Sequence, residues 1–428
     1  MRILRGRQIA LFIESLRKRR SIGGGIEETV RGILQDVRRN GDRAVRRYTE
    51  RFDSVRLEGF LIEEREIESL AAMADKRAVK ALKLSAKRIR DFHERQKEGS
   101  WSFTRDGITL GQIIRPLERV GVYVPGGKAS YPSTVLMNVI PAQVAGVKEI
   151  ALCVPTPRNE INPYVMFAIR MLGLTEVYRI GGAQAIGAMA YGTETIKRVD
   201  KIVGPGNIYV ATAKRLVFGD VDIDMIAGPS EVLIIADETV DPSFISADLL
   251  SQAEHDEMAS SILVTDSEPL AKRVCQELVH QLQRLGRRDI AARSIQRYGA
   301  IILVGSLDEA VQIANDISPE HLEIMVKNPK RFLSRIRNAG AVFLGEWSPE
   351  PLGDYSAGPN HTLPTGGTAR FFSPLGVYDF IKRTSLLYFK REGFMKLAKT
   401  VETIADIEGL EAHGDSIRAR MNKIGDSH

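Results

Sequence analysis

Residues 201–216 read KIVGPGNIYVATAKRL, in which a short β-branched run ends in a glycine and proline turn and a helical segment follows. The same order of strand, glycine turn and helix occurs in EVYRIGGAQAIGAMAYG, which begins at Glu176. Six further runs of this kind lie between residues 119 and 346, namely RVGVYVPGG, EIALCVPTP, EVLIIAD, SILVTDS, AIILVGS and AVFLGE. Strands that alternate with helices predict an α/β fold built on parallel sheets, with ligands at the carboxyl ends of the strands.

The number of strands indicates two α/β units, because eight strands are many for one small sheet. The turn IAGPS at residues 226–230 is a plausible boundary between the units. Before about residue 100, and again after Gly376, apolar residues recur at spacings of three and four, which predicts helices, including one over VYDFIKRTSLLYF at residues 377–389. The segment after Gly376 is too small to bury a core of its own, so we expect it to pack against another body such as a second subunit.

The composition is that of a globular protein: of 428 residues, 43% are hydrophobic and 27% are charged. Lys and Arg number 60 against 54 Asp and Glu, and a net charge of +6 spread this thinly gives little reason to expect a nucleic-acid partner. The densest basic run, RKRR at residues 17–20, follows a predicted amphipathic helix. We interpret it as a solvated helix face.

Cys153 and Cys275 are too few for a disulfide framework and lack the CxxC spacing of a thiolate metal site, which fits a reducing, cytoplasmic setting. Cys153 lies on a predicted strand and is interpreted as a core residue rather than a nucleophile. The apolar patch near the N-terminus spans about five residues, short of the ~7–15 of a signal peptide. No apolar run approaches the ~20 residues of a membrane span, so we expect no membrane association.

The histidines divide into two groups. His93, His280 and His428 lie in charged helical or terminal contexts and are predicted to be on the surface. The other four lie beside an acid, an amide or a tight turn, in SQAEHDE, SPEHLE, GPNHTLP and LEAHGD. In SQAEHDE, Gln252 and His255 are placed to project from one helix face toward one ion, although this spacing alone favours a solvated histidine. Further nitrogen and oxygen ligands elsewhere would indicate a borderline metal such as zinc.

The segment DISPEHLEIM predicts the start of a helix, with Ser318 as N-cap and Pro319 at the first helical position. Glu320 and His321 would then lie in the first turn, where an acid also simply stabilises the helix dipole. A positive first turn should hold the pKa of His321 at or below ~6.5, which keeps a neutral imidazole available as a base. Glu320 would supply a second base of different strength.

Two further segments leave their function open. The loop GDYSAGPNHTLPTGG at residues 353–367 carries Asp354 and His361, and the residues alone do not decide between a site and a surface loop. The GxGxxG fingerprint of dinucleotide-binding domains is missing. The two glycine turns quoted above could offer helix N-termini to phosphates, but tight turns alone would explain them nearly as well.

These segments resemble the histidinol dehydrogenase family of zinc- and NAD-dependent enzymes. The resemblance runs along almost the whole chain, more loosely over the first hundred residues. It is carried by eight motifs in family order: GVYVPGGKASYPSTVLMN, GGAQAIGAMAYGT, KIVGPGNIYVATAKR, DMIAGPSEVLIIAD, DLLSQAEHD, SPEHLE, GDYSAGPNHTLPT and LEAHGDS.

The resemblance implies two incomplete Rossmann-like parallel-sheet domains with small helical segments at both ends. The chain would then divide into an N-terminal helical segment (1–21), a discontinuous first α/β domain (22–122 and 231–375), a second, Rossmann-like α/β domain (123–230) and a C-terminal helical tail (376–428). In the family this tail reaches into the partner subunit of a homodimer, so Glu408 and His413 are expected to act across the interface.

The resemblance also implies the reaction, which is the oxidation of L-histidinol to L-histidine through L-histidinal with two NAD⁺. His321 corresponds to the general base and Glu320 to the residue that activates water. One zinc ion per subunit would be held by Gln252, His255, Asp354 and His413, and would position the substrate. The other substrate contacts correspond to Ser230, Glu320, His321, His361 and Glu408, and the coenzyme contacts to Tyr123, Gln184 and Asn207.

Three competing interpretations remain at this point. A relative that kept zinc and NAD could oxidise another alcohol, such as a sulfonated diol, but should have lost Glu408, His361 and His413. A zinc hydrolase could use Glu320 on a metal-bound water, which leaves the glycine-turn strands without a role. A nucleic-acid-binding protein would show strongly salt-dependent binding, which the scattered charge gives little reason to expect.

Overall fold

A computed structural model describes residues 1–19, 24–126 and 131–425. The strands are β1 Arg2–Leu4, β2 Trp101–Arg105, β3 Ile108–Pro116, β4 Arg119–Tyr123, β5 Glu149–Cys153, β6 Glu176–Tyr178, β7 Lys201–Val203, β8 Asp222–Ile223, β9 Glu231–Ala236, β10 Ser260–Thr265, β11 Ala300–Leu303, β12 His321–Met325, β13 Ala341–Leu344 and β14 Ile381–Phe389.

The helices are α1 Arg7–Lys18, α2 Gly24–Asp53 (kinked at Gly41), α3 Glu64–Ala71, α4 Lys76–His93, α5 Pro132–Ala145, α6 Pro163–Met171, α7 Gly182–Tyr191, α8 Ile208–Val217, α9 Pro242–Ala253, α10 Glu268–Leu282, α11 Arg288–Tyr298, α12 Leu307–Ile317, α13 Glu350–Leu352, α14 Arg391–Glu408 and α15 Glu411–Gly425. A π-helical turn, Gly353–Ala357, continues α13. Short 3-10 turns cover Glu94–Gln96, Pro157–Asn159, Pro329–Arg335, Thr368–Arg370 and Val377–Phe380.

Two parallel sheets confirm the predicted α/β fold. One has five strands in the order β6-β5-β4-β7-β8, and the other has six in the order β1-β11-β10-β9-β12-β13. Counted from its first long strand, each sheet follows the order 3-2-1-4-5, which is the Rossmann order without its last strand. All eight predicted strands are present, and the incomplete Rossmann-like character is confirmed.

Helices cover both faces of each parallel sheet, which explains why the strands read as nearly continuous apolar runs. In β9, Val232 and Ile234 pack into one buried cluster, whereas Leu233 and Ile235 pack into the cluster on the opposite face. The five-stranded sheet is covered in the same way, with Cys153 of β5 completely buried. The prediction that Cys153 is a core residue is therefore confirmed.

The helical prediction for residues 377–389 is wrong over most of its length. Residues 381–389 form β14, which pairs antiparallel with β3 over all nine of its residues, from Ile381 opposite Pro116 to Phe389 opposite Ile108. A tertiary partner of matching length has overridden the local helical spacing. β1 was also missed, because a three-residue edge strand gives no periodic signal.

The chain divides into two compact units. Unit 1 comprises Met1–Gln96 and Leu117–Phe380 and contains both parallel sheets, while unit 2 comprises Lys97–Pro116 and Ile381–His428. Within unit 2, β14, β3 and β2 form an antiparallel sheet, and α14 packs against α15. The domain boundaries inferred from the resemblance stay a prediction.

Two surface predictions are corrected by the structure. Arg17 and Lys18 of the basic run are exposed, but the guanidinium of Arg19 is buried, because it forms an ion pair with a carboxylate inside unit 1. His93 is completely buried, with its Nδ1 atom 2.8 Å from the Ile89 carbonyl oxygen one turn earlier in α4. His280 is exposed as predicted.

Arg20 and His428 lie outside the described residues. In the part of the chain that the structure describes, no helix combines the length and the apolar character needed to cross a membrane.

Candidate active site

His321 begins a strand and Glu320 immediately precedes it, so the predicted helix start at Ser318 is wrong. Ser318 instead ends α12 in a left-handed conformation (φ 55°), and its hydroxyl donates to the Asn315 carbonyl oxygen over 2.8 Å. His321 is the first residue of β12, opposite Val232 of β9 and Ala341 of β13. Pairing on both sides selects the extended backbone, which a local capping pattern cannot show.

The imidazole of His321 is buried between the Glu231 carbonyl oxygen and the carboxylates of Glu320 and Asp354. Its Nδ1 atom lies 3.1 Å from the Glu231 carbonyl oxygen, and its Nε2 atom lies 3.4 Å from Asp354 Oδ1. Burial alone would lower the pKa of His321, but the Glu320 and Asp354 carboxylates raise it well above 6.5. The predicted pKa at or below ~6.5 is therefore wrong, because His321 lies beside carboxylates and not in a positive helix turn.

Glu320 is buried directly beside this imidazole. One of its carboxylate oxygens, Oε2, accepts the Glu231 backbone N–H over 2.9 Å and lies 3.8 Å from His321 Nδ1. Burial raises the pKa of Glu320 to about 8, and the charge of His321 opposes part of this shift. A carboxyl group with this pKa is a far stronger base than an exposed one. The assignment of Glu320 and His321 as two bases of different strength stays a prediction.

Asp354 and His361 are joined through the main chain. Asp354 lies in the π-helical turn after α13, and its carbonyl oxygen accepts from His361 Nδ1 over 3.0 Å. Burial alone would raise the pKa of Asp354, but the contact with His321 and the charges of His361 and His255 keep it low. Burial lowers the pKa of His361. This loop therefore places an ionised carboxylate beside three imidazoles.

Gln252 and His255 do not share one helix face as predicted. The helix α9 ends at Ala253, so His255 lies in the turn that follows, where its backbone N–H donates to the Gln252 carbonyl oxygen over 3.3 Å. The Gln252 side chain is completely buried, and neither of its amide atoms has a hydrogen-bond partner among the described residues. A buried, unpaired amide oxygen is costly unless it binds something, which is what a metal ligand requires.

Glu350 is a site residue that the sequence did not reveal. Donor atoms of His321, Glu350 and Asp354 all lie within 4.8 Å of one another, a spacing that could hold a metal ion. Burial raises the pKa of Glu350, and Ser251 Oγ donates to its carboxylate over 3.0 Å. The four-residue spacing of Glu350 and Asp354 across a helical turn was the available signal.

Two more buried acids lie behind Glu350. The Glu350 backbone N–H donates to Glu323 Oε1 over 2.8 Å, and burial raises the pKa of Glu323 well above its usual value. Burial, and then the charge of Glu350, raise the pKa of Asp248 to about 7. A buried group of carboxyls binds either protons or a cation, because isolated negative charge is strongly disfavoured in the interior.

The remaining predicted substrate contacts fall in both units. Ser230 immediately precedes β9, and its carbonyl oxygen accepts from the Ser260 backbone N–H over 2.9 Å. Glu408 is the last residue of α14, and His413 lies in the first turn of α15. Both are exposed and belong to unit 2.

The three predicted coenzyme contacts lie at the carboxyl ends of strands in the five-stranded sheet. Tyr123 ends β4, and its hydroxyl accepts the Gly182 backbone N–H over 3.1 Å at the start of α7. Gln184 is buried in the first turn of α7, and its Oε1 atom has no hydrogen-bond partner among the described residues. Asn207 caps α8, accepting from the backbone N–H groups of Tyr209 and Val210 over 3.0 and 3.1 Å.

The turn at Gly204 depends on glycine and on a buried ion pair. Gly204 has φ +112°, and a Cβ atom there would collide with the Tyr123 carbonyl oxygen. Asp224 accepts the Gly204 N–H over 2.8 Å, Lys214 donates to the Gly204 carbonyl oxygen over 2.8 Å, and the two side chains pair with each other in the interior. A charged pair thus fixes the backbone that carries the strand into α8.

A cavity of about 430 Å³ opens at the same edge of the five-stranded sheet. Its walls come from the loops that follow β4 and β5 and from the start of α6, and they include Pro125, Pro155, Arg158 and Asn162. Its lining mixes apolar side chains with the polar groups of Arg158, Glu160 and Asn162 in about equal share.

Comparison with known proteins gives a consistent result. A sequence profile of the family described as Histidinol dehydrogenase matches residues 16–421. The histidinol dehydrogenase of Geobacter sulfurreducens is 54% identical over 416 residues, which is 96% of this chain and 97% of that protein. The histidinol dehydrogenase of Aquifex aeolicus is 56% identical over 398 residues and 92% of each chain. The crystal structure of histidinol dehydrogenase from Elizabethkingia anophelis, at 36% identity, superposes with a TM-score of 0.94 over 99% of both chains.

Proposed function

Because the chain belongs to the histidinol dehydrogenase family, which oxidises histidinol in histidine biosynthesis, we propose that it carries out both oxidations in one site. The substrate is L-histidinol, the intermediate is L-histidinal, the product is L-histidine, and two NAD⁺ are reduced. The observation that carries the proposal is the buried pair of bases Glu320 and His321, with Asp354 beside His321.

His321 acts as the general base for the alcohol. Its Nδ1–H donates to the Glu231 carbonyl oxygen, so Nε2 is the atom left to receive the substrate's proton. The Glu320 and Asp354 carboxylates stabilise the imidazolium that results, which makes His321 a stronger base. Because the imidazole is buried and its Nδ1 atom is held by the Glu231 carbonyl oxygen, its orientation toward the substrate is set before binding.

Glu320 acts on water in the second half of the reaction. Its raised pKa of about 8 makes the carboxylate basic enough to take a proton from a water molecule that adds to the aldehyde. The Glu231 backbone N–H holds one carboxylate oxygen in place. Two neighbouring bases of different strength therefore serve two different proton transfers.

Zinc is the proposed metal, held by Gln252, His255, Asp354 and His413. The residues of unit 1 fit this role, since the Gln252 amide is buried without a partner among the described residues and the buried carboxyls around Asp354 favour a nearby cation. When bound, zinc would anchor the imidazole and the amine of the substrate, so that the aldehyde is retained between the two oxidations. Glu350 is a further candidate ligand, because its carboxylate lies within 4.8 Å of donor atoms of Asp354 and His321.

Tyr123, Gln184 and Asn207 are proposed to bind NAD. The turns before α7 and α8 present backbone N–H groups at helix N-termini, which favour phosphate. The coenzyme would take up the hydride in each of the two oxidations. Ser230, His361 and Glu408 are proposed to place the rest of the substrate.

A homodimer is proposed to complete the site, with Glu408 and His413 supplied by the partner subunit. Unit 2 has many exposed apolar side chains, among them Leu387 on β14 and Ile407 on α14, the latter 80% exposed. A second copy of the chain is the occupant that the family relationship favours for this surface. Both cysteines are free thiols, which supports a reducing, cytoplasmic setting.

Mixing two inactive variants tests the shared site. If His413 acts across the interface, dimers formed from His321→Ala chains and His413→Ala chains contain one intact site. Unfolding and refolding the mixture should then restore about a quarter of the wild-type activity, as random pairing of a two-fold dimer requires. If His413 serves its own subunit, the mixture stays inactive.

The reaction itself is tested by the NADH formed per L-histidinol consumed. Two NADH, with histidine as product, lost on chelation and restored by zinc, are expected. One NADH with release of the aldehyde would show that Glu320 does not activate water. No NADH would indicate another alcohol, such as a sulfonated diol, as the substrate.

A further inference from the structure

We propose that the buried ion pair of Arg19 and Glu231 is a positioning device that sets the geometry of both catalytic bases. Arg19 follows α1 near the N-terminus, and Glu231 begins β9. Their side chains are 1% and 8% exposed and form a direct ion pair. The inference rests on the proposed roles of Glu320 and His321, and it gives a function to Arg19, an arginine of the basic run with a buried side chain.

Glu231 touches both bases through its main chain. Its N–H donates to Glu320 Oε2 over 2.9 Å, and its carbonyl oxygen accepts from His321 Nδ1 over 3.1 Å. One peptide segment therefore orients the carboxylate of one base and selects the tautomer of the other. A small rotation of this segment would weaken both hydrogen bonds together.

The Glu231 side chain fixes that segment in two directions. Oε1 accepts from Arg19, and Oε2 accepts the Gly366 backbone N–H over 3.1 Å. Gly366 belongs to the loop that carries His361, so the same carboxylate links the first residue of β9 to this loop as well. Because both oxygens are occupied, rotation of the side chain would break at least one of these contacts.

Arg19 is itself anchored at separate points. One of its nitrogens, Nη1, donates to the Met258 carbonyl oxygen over 2.5 Å, while Nη2 donates to Glu231. The guanidinium carbon lies 5.2 Å from the centroid of the Tyr298 ring. A planar group held on two edges and one face has little freedom, so it transmits a defined position to Glu231.

Stability alone does not explain why α1 is attached through the ion pair of Arg19 and Glu231, because an apolar contact could hold the helix in place equally well. Buried ion pairs add little net stability compared with well-packed apolar side chains, but they specify geometry. The direct contact with the residue that holds Glu320 and His321 gives that geometry a catalytic use. Arg19 and Glu231 touch neither substrate nor coenzyme in this account, so they are positioning residues.

The test uses full-length Arg19→Met, Arg19→Lys and the double variant Arg19→Met/Glu231→Gln, with Arg17→Met as the control. Arg17 lies in the last turn of α1, two residues before Arg19, but is exposed. For each variant we would measure kcat, the KM for histidinol, the bound zinc and the thermal midpoint. Arg19→Met should lower kcat on the order of 100-fold, the effect of displaced catalytic groups, with KM and zinc content unchanged.

The double variant separates position from stability. It leaves no unpaired charge in the interior, and the amide oxygen introduced by Glu231→Gln can still accept from the Gly366 N–H. Its thermal midpoint should therefore return toward that of the wild type while kcat stays low. Arg19→Lys keeps the charge but loses the planar donor pair, and it should fall between the wild type and Arg19→Met. The double variant and Arg19→Lys also decide the question if Arg19→Met fails to fold.

Three results would overturn the inference: wild-type kcat in Arg19→Met, recovery of kcat together with the thermal midpoint in the double variant, or a loss confined to KM and zinc. In each of these cases the active wild type and the active Arg17→Met control leave the proposed function standing. An inactive wild type would instead reject the proposed function.

Discussion

The amino ends of the six-stranded sheet and the carboxyl ends of the five-stranded sheet offer opposite chemistry. At the first edge, α9 ends just before His255 and α12 ends just before Glu320, so the chain presents the negative ends of helices. At the second edge, α7 and α8 begin, and they present their positive ends. A cation or imidazolium is favoured at one edge and a phosphate at the other, although both sheets share one strand order.

The two edges also use different kinds of groups. The first is built from buried ionisable side chains whose pKa values are displaced, including Glu320, His321 and Glu350. The second presents glycine backbone and the neutral side chains of Tyr123 and Asn207, with the ion pair of Lys214 and Asp224 buried beneath the turn. Substitutions at the first edge should therefore change rate, whereas those at the second should change folding and coenzyme affinity.

The largest effect is expected from His321→Ala. Loss of the base should lower kcat by roughly 100- to 10,000-fold, the usual contribution of general base catalysis, with little change in NAD affinity. Steady-state kinetics and coenzyme titration measure the two quantities. The exposed His280→Ala is the matched control and should behave as the wild type. Near-normal kcat in His321→Ala would remove the chemical role from this edge.

Lys214→Met should have the largest effect at the other edge. It leaves Asp224 buried without its cation and releases the Gly204 carbonyl oxygen, so the free energy of unfolding should fall by about 3–5 kcal/mol. Urea denaturation measures this change. The exposed pair of Lys87 and Asp91 is the control, since Lys87→Met should change stability by less than about 0.5 kcal/mol. If Lys214→Met and Lys87→Met lowered the free energy of unfolding by the same small amount, the buried pair would not support the turn.

Gly204→Ala should be more harmful than Gly219→Ala. Both glycines have positive φ, at +112° and +105°, so alanine strains either backbone by about 1–3 kcal/mol. Only at Gly204 would the new Cβ collide with the Tyr123 carbonyl oxygen, whereas Gly219 has open space around it. The comparison of unfolding free energy and of the KM for NAD isolates the collision. Equal unfolding free energies and equal KM values in the two variants would argue against a tight turn at Gly204.

The smallest effect is expected in the pH dependence of the stability of the metal-free protein. The pKa values of Glu320 and Asp248 are raised to about 8 and about 7, so these acids ionise in the unfolded chain at lower pH than in the folded one. Their stabilising contribution is complete below about pH 4 and is lost as the pH rises through 7 and 8. The raised pKa of His321 acts in the same direction above pH 6.5, whereas the lowered pKa of Asp354 matters only below about pH 4.

With a chelator present, the thermal midpoint should therefore fall by a few degrees between pH 5 and pH 8. Zinc should raise the midpoint more at pH 8 than at pH 5, because ligands bind metal in their deprotonated form. Glu320→Gln should flatten the slope of the chelated protein. A midpoint that rises steadily over this range would contradict the displaced pKa values.

The carboxyl-end edge of the five-stranded sheet, where the coenzyme is proposed to bind, could be predicted from the sequence better than the edge that carries Glu320, His321 and Glu350. Strand, glycine turn and helix follow one another along the chain at Gly182 and Gly204, so local patterns describe this edge almost completely. The family resemblance added the candidate residues. What local patterns could not give was the buried support of Lys214 and Asp224, whose partners depend on the folded backbone.

At the amino-end edge of the six-stranded sheet, local patterns failed to predict features that tertiary contacts decide. The capping pattern at Ser318 predicted a helix from local propensity and was wrong, because pairing with β9 and β13 makes the residues from His321 onward a strand. Arg19 looked solvated because its partner Glu231 lies 212 residues away. Glu350 carried only the weak signal of an acid four residues before Asp354.

The most direct test of the two-base account is the stoichiometry of Glu320→Gln. If Glu320 activates water and His321 serves the alcohol, this variant should form one NADH per L-histidinol and release histidinal, whereas the wild type forms two NADH and histidine. Two NADH per L-histidinol at a rate near that of the wild type would contradict the division of labour between Glu320 and His321.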